Sequence, residues 1–408
     1  MGEDRPRLRN LEAFPVEQDG RRLMALRDPS GFTDQVVALP MPLLDVVSLF
    51  DGEHSLGQIH AIVKERHGEA PTVEQIASIA RSLDDNGFLD SVSFAERQRA
   101  TEEAFRQSPT RPAVHAGGAY AGKPEALAAQ IDGFFTHADG PGFAARSANS
   151  GGVRGFLAPH IDFHRGGPTY AWAYREAIER SDADLFVILG TCHAGMPDPF
   201  AATLKAFDTP LGSAPVDRDF FDALERRYGG GLLASEAAHR TEHSIEFQVV
   251  MLRHLLGKRR PFTILPVLAS YVHEAVWARS DPEADPRVPR FIDALLETMA
   301  ASGRKTCLIA GVDLAHVGPR FGDPDANSDD SLAAVAAADR SMLEAVIAGE
   351  PTSFYASVAH DDDRRRICGL SPIYTFLRAL PGVRGRLIRY SQWPDPEGAV
   401  TFCAAAFP

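Results

Sequence analysis

Three histidines and one cysteine carry the strongest chemical signal in this 408-residue chain. His160 closes the run GFLAPH, His193 closes LFVILGTCH and His316 closes TCLIAGVDLAH, while Cys368 lies in RRRICGLSP just ahead of a helical pattern. Any one of them is readable as a hydrogen-bonded structural residue, but their repeated placement just past β-type runs points to convergence on one site. Imidazole and thiolate both ligate borderline or soft divalent metals, and such a set leaves positions open for water or substrate. A thiolate beside a metal is deprotonated, so Cys368 would add a negative charge much as a carboxylate does. The stretch TEHSIEFQ contributes Glu242, His243 and Glu246 at a helix opening. Those residues suit either a cap or a shell that orients ligands and handles protons. Asp313, three residues before His316, is placed to fix that ring's tautomer.

The stretch HIDFH contains a second histidine, His164, four residues after His160. That spacing makes a metal pair on a helix, but here it follows a strand and precedes two glycines, so it reads as a loop. His160 is therefore separated from Asp162 and His164, which are expected to line the pocket or carry protons. Cys192 adjoins His193, and because neighbouring strand side chains face opposite ways it belongs to the core or the pocket margin. Cys307 and Cys403 lie inside apolar runs and read as small buried hydrophobes.

The elements that must hold these residues form an α/β pattern. The continuous apolar runs just quoted, together with PFTILPVLA, alternate with amphipathic segments such as GPTYAWAYREAIER and EHSIEFQVVMLRHLL. From 113 to 408 this predicts a central, mostly parallel sheet flanked by helices, with ligands beyond the carboxyl ends of the strands. Residues 1–94 read as a small winged-helix domain, three helices followed by a short strand at Phe88–Leu89. Pro42 stands near the first helix start, Ser55 and the Thr72-x-x-Gln75 box cap the next two, and Asn86-Gly87 ends the third. Residues 95–112, charged and ending in SPTRP, read as a linker.

Composition narrows the classes. With 44% hydrophobic residues the chain can bury a large core, and its net charge of 42 − 55 = −13 argues against general nucleic-acid binding. No signal-peptide pattern or run of about 18 apolar residues occurs, so neither secretion nor a membrane span is expected. The four cysteines lack the close spacing of a zinc ribbon and are too few for a disulfide scaffold, which suits a reducing cytoplasm. Neither a phosphate-binding GxxxxGK[ST] loop nor a G-x-S-x-G elbow is present.

Six stretches in order, HAGGAYAGKPEALAAQI, APHIDFHRGGPTYAWAY, VILGTCHAG, TEHSIEFQ, GVDLAHVG and ICGLSP, resemble the Memo-like family, protein B of the AmmeMemoRadiSam system, which is similar in fold to class III extradiol dioxygenases. The resemblance implies metal ligation by His160, His193 and Cys368, the cysteine standing where the dioxygenases use a glutamate. It implies an acid/base role for His316, assisted by Asp313, Glu242 and His243. Iron(II) is the first choice of metal, with copper or zinc as alternatives. This chain departs from the family text HAGYxYSG, having HIDFHRGG. A second resemblance, carried by LFDGEHSLGQI and LDDNGFL, is to PqqD-like winged helices; it implies recruitment of a peptide or of a radical-SAM or other peptide-modifying partner. The expected function is an O₂-activating oxidoreductase acting on a peptide or small molecule. A peptide-binding adaptor without activity and a zinc-dependent hydrolase are the alternatives.

Overall fold

Two compact units make up the chain, Met1–Gln107 and Ser108–Pro408, in a computed structural model that describes residues 4–143, 152–257 and 259–408.

The first unit opens with an antiparallel sheet of β1 (Glu12–Gln18), β2 (Arg21–Arg27) and β3 (Val36–Pro40). This corrects the expected order, since the sheet precedes the helices instead of a strand following them. The signal for it is Asp19-Gly20, whose φ angles of 51° and 70° are those a two-residue hairpin turn requires. Three helices follow, α1 (Met41–Val47), α2 (Leu56–His67) and α3 (Val73–Asp85). Pro42 sits in the first turn of α1, and Ser55 with Gln58 and Thr72 with Gln75 form reciprocal capping boxes. Leu89 makes only a single bridge, to Leu8. The expected linker is also corrected. Residues 95–107 belong to α4 (Val92–Gln107), a helix whose charged sequence still buries Phe94 and Phe105. Two apolar anchors suffice to seat a helix that carries little overall hydrophobicity.

Residues 108–112 belong to the second unit, where β4 (Thr110–Arg111) pairs in parallel with β8 (Ala206–Phe207). Between these lie α5 (Pro124–Thr136), β5 (Gly155–Ala158), α6 (Phe163–Arg180), β6 (Leu185–Thr191) and β7 (Phe200–Ala202). After β8 come α7 (Arg218–Tyr228), α8 (His243–Leu256), β9 (Thr263–Ala269), α9 (Val272–Ala278), α10 (Arg287–Ala301), β10 (Thr306–Gly311) and β11 (Asp313–Val317). The chain ends with α11 (Asp329–Ala348), α12 (Pro351–Ala359), α13 (Leu370–Ala379), β12 (Arg386–Trp393) and β13 (Ala399–Phe407). The eight-stranded sheet has the order β11-β13-β5-β10-β6-β9-β7, with β12 on β13. Its centre, β5-β10-β6-β9, is parallel as expected, and antiparallel margins make the sheet as a whole mixed. Alternate residues of β6 enter different cores, Leu185, Val187 and Leu189 on one face and Phe186 and Ile188 on the other. A strand buried on both faces must be apolar throughout.

Register prepares the site. Ala158, Gly311 and Gly190 lie side by side across β5, β10 and β6, so the residues just beyond them emerge together. Gly190 and Gly311 also form a seat for the first turn of α8. A Cβ on Gly311 would come within 2.5 Å of the Ser244 carbonyl, and one on Gly190 within 2.6 Å of Ser244 Oγ. Only hydrogen fits under the helix there, which brings its N-terminus against the carboxyl edge of the sheet. Gly311→Ala is expected to push α8 outward and to lower the unfolding free energy by about 1–3 kcal/mol, read from denaturant midpoints.

Candidate metal centre

His160 lies two residues beyond β5 and is 2% exposed. Its Nδ1 is 2.9 Å from the Gly311 carbonyl, and its backbone N–H donates to Asp313 Oδ1 at 3.0 Å. A carbonyl can only accept, so Nδ1 carries the proton and Nε2 presents a bare lone pair. His193 follows β6 by two residues and repeats the device with a carboxylate. Its Nδ1 lies 3.0 and 3.1 Å from the two oxygens of Glu242, and its backbone N–H donates to Glu242 Oε2 at 2.8 Å.

Glu242 is the N-cap of α8 and also accepts from the backbone N–H groups of His243 and Ser244, at 2.8 and 3.0 Å. Its position therefore fixes both a helix terminus and the His193 ring. His243 is the first residue of the helix, with Nδ1 3.3 Å from Glu242 Oε1. The ligand nitrogens of His160, His193 and His243 all lie within 4.8 Å of one another. Ring centroids are 4.9 Å apart for His160–His193, 5.2 Å for His160–His243 and 4.6 Å for His193–His243. A metal–nitrogen bond of about 2.1 Å places the centroids of neighbouring imidazole ligands roughly 4.5–5.2 Å apart, so the residues present fit an ion. The site opens on one side: the His193 side chain is 36% exposed.

Burial keeps two of the three imidazoles neutral. Burial, with His193 adding to it, pushes the His160 imidazolium down to about 3. His243 is held well below its ordinary value by burial and by His193. Burial opposes charge on His193 as well, but the Glu242 charge and hydrogen bond outweigh it and raise this ring. Glu242 stays well below the usual carboxylate range, since its histidine partners and N–H donors overcome the cost of burial.

Cys368 reaches the same place from a different loop. Its Sγ is 3.2 Å from His160 Nε2 and 3.6 Å from the Asp313 carbonyl, and its own carbonyl accepts from Thr191 Oγ1 at 3.1 Å. Burial and the Asp313 charge hold the free thiol well above its normal value; a bound cation reverses that balance. The loop delivering it has Asp362, Asp363 and Arg366 at φ of 55°, 53° and 52°, a left-handed conformation that costs non-glycine residues energy. It is clamped by ion pairs of Arg365 with Asp339 and of Arg366 with Asp323. The compact cluster of mutually close donors thus has His243 as its third member, whereas Cys368 pairs with His160 beside it.

Asp313 does not orient His316. The His316 Nδ1 is 3.1 Å from the Leu314 carbonyl, while Asp313 accepts from His160. A register irregularity pairs Asp313 with Phe402 and His316 with Val400, two residues apart on β13, so the two side chains share a face of the sheet although their hydrogen bonds go to different partners. Both nonetheless feel the centre's charges. Burial raises Asp313 to about 6 and lowers His316. His316 itself stands within β11 instead of past a strand.

Other expected residues lie apart. His164 is exposed in the first turn of α6, 3.2 Å from Arg165 Nε and beside Trp393. Asp162 lies 3.9 Å from Arg165. Cys192 is buried in the core with its thiol pushed up to about 12. Several supporting residues are not singled out by sequence reading. Arg111, fully buried, donates to the carbonyls of His239 at 3.0 Å, Pro112 at 2.8 Å and Glu242 at 2.7 Å, and pairs with Glu246. Glu246 also accepts from the Tyr120 hydroxyl and the His115 backbone N–H. Gln248 donates to the Pro159 carbonyl at 2.7 Å, immediately before His160. The i, i+4 offset of Gln248 from Ser244 on the face of α8 toward the sheet is the one signal that could have exposed it.

Comparison with known proteins gives a consistent result. The family described as Memo-like protein matches residues 111–402. The chain is 27% identical to a MEMO1 family protein of Aquifex aeolicus, over 97% of this chain and 98% of that one. It is 30% identical to one from Methanopyrus kandleri, over 70% and 93%, and 26% identical to one from Thermus thermophilus, over 82% and 93%. The Aquifex alignment covers nearly all of the chain, so the first unit is not peculiar to it.

Protonation of His193 would compete with a bound metal ion. Because Glu242 holds this ring above its ordinary value of 6.5, the His193 share of the affinity is present in full above the raised value and declines as pH falls through it. His160 adds nothing in that window, and the raised Cys368 thiol adds a separate rise at higher pH. Glu242→Gln is expected to move the midpoint of that decline to lower pH while weakening binding about 10–100-fold above it. Metal titrations across pH 5.5–8.5 (a range of roughly three units spanning the histidine region) read both effects.

Proposed function

The chain belongs to the Memo-like family, and on that premise we propose that it is a metal-dependent oxidoreductase whose ion is held by His160, His193 and Cys368. One observation carries the reading. Two imidazoles delivered by different strands have their Nδ1 protons engaged, and a thiol sulfur stands 3.2 Å from the free nitrogen of the first. Two imidazoles and a thiolate leave coordination positions open, and the strained, doubly clamped loop that presents Cys368 is the kind of backbone retained where a group must be placed. Bound iron(II) would supply one-electron chemistry toward O₂.

The surrounding residues bind, orient and move protons. Glu242 holds His193 and raises its basicity toward a cation. His316, neutral because burial disfavours its charged form, keeps Nε2 as a proton acceptor while Nδ1 engages Leu314. Asp313, raised to about 6, exchanges a proton near neutral pH. In the same reading the first unit is PqqD-like and recruits a peptide. A groove of about 450 Å³ lined by Val37, Leu39, Leu43, Ile79 and Leu83 supports this role.

A second reading has its own observation, the mutual closeness of His160, His193 and His243. Three imidazoles without sulfur would suit zinc and activation of water. Anaerobic iron competition against a chelator separates the two. Cys368→Ser is expected to weaken iron binding at least about tenfold while His243→Gln stays near wild type, and His160→Ala and His193→Ala lose the metal. The opposite ordering of Cys368 and His243 would favour the three-imidazole centre.

A further inference from the structure

A third, small apolar cluster borders the centre, separate from the two sheet-face cores. Ile161, bonded to His160, packs with Val400 and Phe402, and Phe321 and Trp393 lie partly buried against them. Strand register explains the arrangement. His316 of β11 is opposite Val400 of β13, which is opposite Trp393 of β12. Directly paired residues in adjacent strands project from the same face, so His316, Val400 and Trp393 form one row. Phe321 closes the row from its other end, with its ring 5.0 Å from His316 and perpendicular to it at 89°.

At the far end stands Arg165, its guanidinium 6.0 Å from the Trp393 ring. Its Nε contacts His164 Nε2 at 3.2 Å and lies 3.9 Å from Asp162 Oδ2, beyond hydrogen-bonding reach. Among the described residues no acceptor engages its two terminal nitrogens. Arg365 and Arg366 differ in this respect: the first is committed to Asp339, the second to Asp323 and the His316 carbonyl. A partly shielded guanidinium with a free fork beside an aromatic wall is suited to a planar anion.

We propose, resting on the metal-centre reading, that this wall selects the substrate: an apolar or aromatic body lies along Phe321 and Trp393, and a carboxylate is taken by the free fork of Arg165. The carboxylate belongs to a small organic acid or to a peptide terminus, two sources with one chemistry. Its capture would hold the body of the substrate beside His316, within reach of proton transfer.

The test uses the full chain and two matched probe pairs in ligand-observed NMR titrations. One pair is 3-phenylpropionate and 3-phenylpropionamide, the other Gly-Gly-Gly-Phe with a free and with an amidated terminus. Titrations run on chelator-treated protein and again on zinc-loaded protein. The wild type is expected to prefer acid over amide at least about tenfold in both forms, and the pair with the larger preference identifies the source. Arg165→Gln should abolish the preference and Arg165→Lys should restore part of it. Trp393→Leu should weaken acid and amide alike while leaving their ratio unchanged, which a general loss of structure would not do. Equal binding of acid and amide to the wild type, or a preference that survives in Arg165→Gln, overturns the proposal. Zinc affinity of Arg165→Gln reads the metal centre separately: wild-type affinity with lost acid preference supports the wall. Failure of the wild type itself to bind zinc, with acid preference intact in the metal-free form, overturns the metal reading and leaves the wall standing.

Discussion

Glu242 joins the two parts of the centre that the chain delivers from different directions. Its carboxylate caps the start of the helix α8 by accepting from His243 and Ser244, and it turns His193, which arrives from β6, so that one nitrogen is protonated and the other free. Removing such a carboxylate from water is expensive, and it is tolerated only because every oxygen finds several donors. A buried network of this kind is not primarily a source of stability; it defines geometry. The placing of His193 and His243 follows from where Glu242 sits.

That position in turn depends on packing and on a second buried charge. Gly190 and Gly311 let α8 descend onto the sheet, and Ser244 Oγ donates to the Thr191 carbonyl at 2.8 Å to hold it there. Behind the helix, Arg111 reaches the Glu242 carbonyl and pairs with Glu246, which Tyr120 and His115 also supply with donors. The same short β4 that begins the second unit therefore braces its centre. On the opposite flank Asp339 clamps Arg365 and also accepts from Tyr390 and Thr401, holding the Cys368 loop in a conformation its residues would not choose alone.

The sequence discloses residues whose chemistry is rare and whose position follows from periodicity. His160 and His193 are legible because continuous apolar runs mark parallel strands, and parallel strands place their carboxyl ends together. The cluster around Glu242 and His243 is legible as a helix opening, though not the division of roles between His243 and Cys368, which depends on distances across three loops. Arg111 is hidden because SPTRP looks like a linker and nothing in its neighbours announces a buried arginine. Gly190 and Gly311 are hidden because a glycine at a strand end has many ordinary explanations and the one that applies lies on another element. The partner of Asp313 is the backbone N–H of His160, which arrives from another strand and leaves no trace in residue pattern. In the first unit, the alternation of β1 is weak and interrupted by Pro15, so the Asp-Gly turn is the one strong mark of its hairpin.

In the proposed centre His160 and His193, oriented through their Nδ1 protons, hold one metal ion together with Cys368. X-ray absorption at the metal edge of the iron-loaded protein measures it most directly. The expected result is imidazole scattering from two histidines plus one sulfur at about 2.3 Å, with the sulfur shell absent in Cys368→Ser and retained in His243→Gln. A first shell of nitrogen and oxygen alone in the wild type, changed by His243→Gln and indifferent to Cys368→Ser, would contradict it.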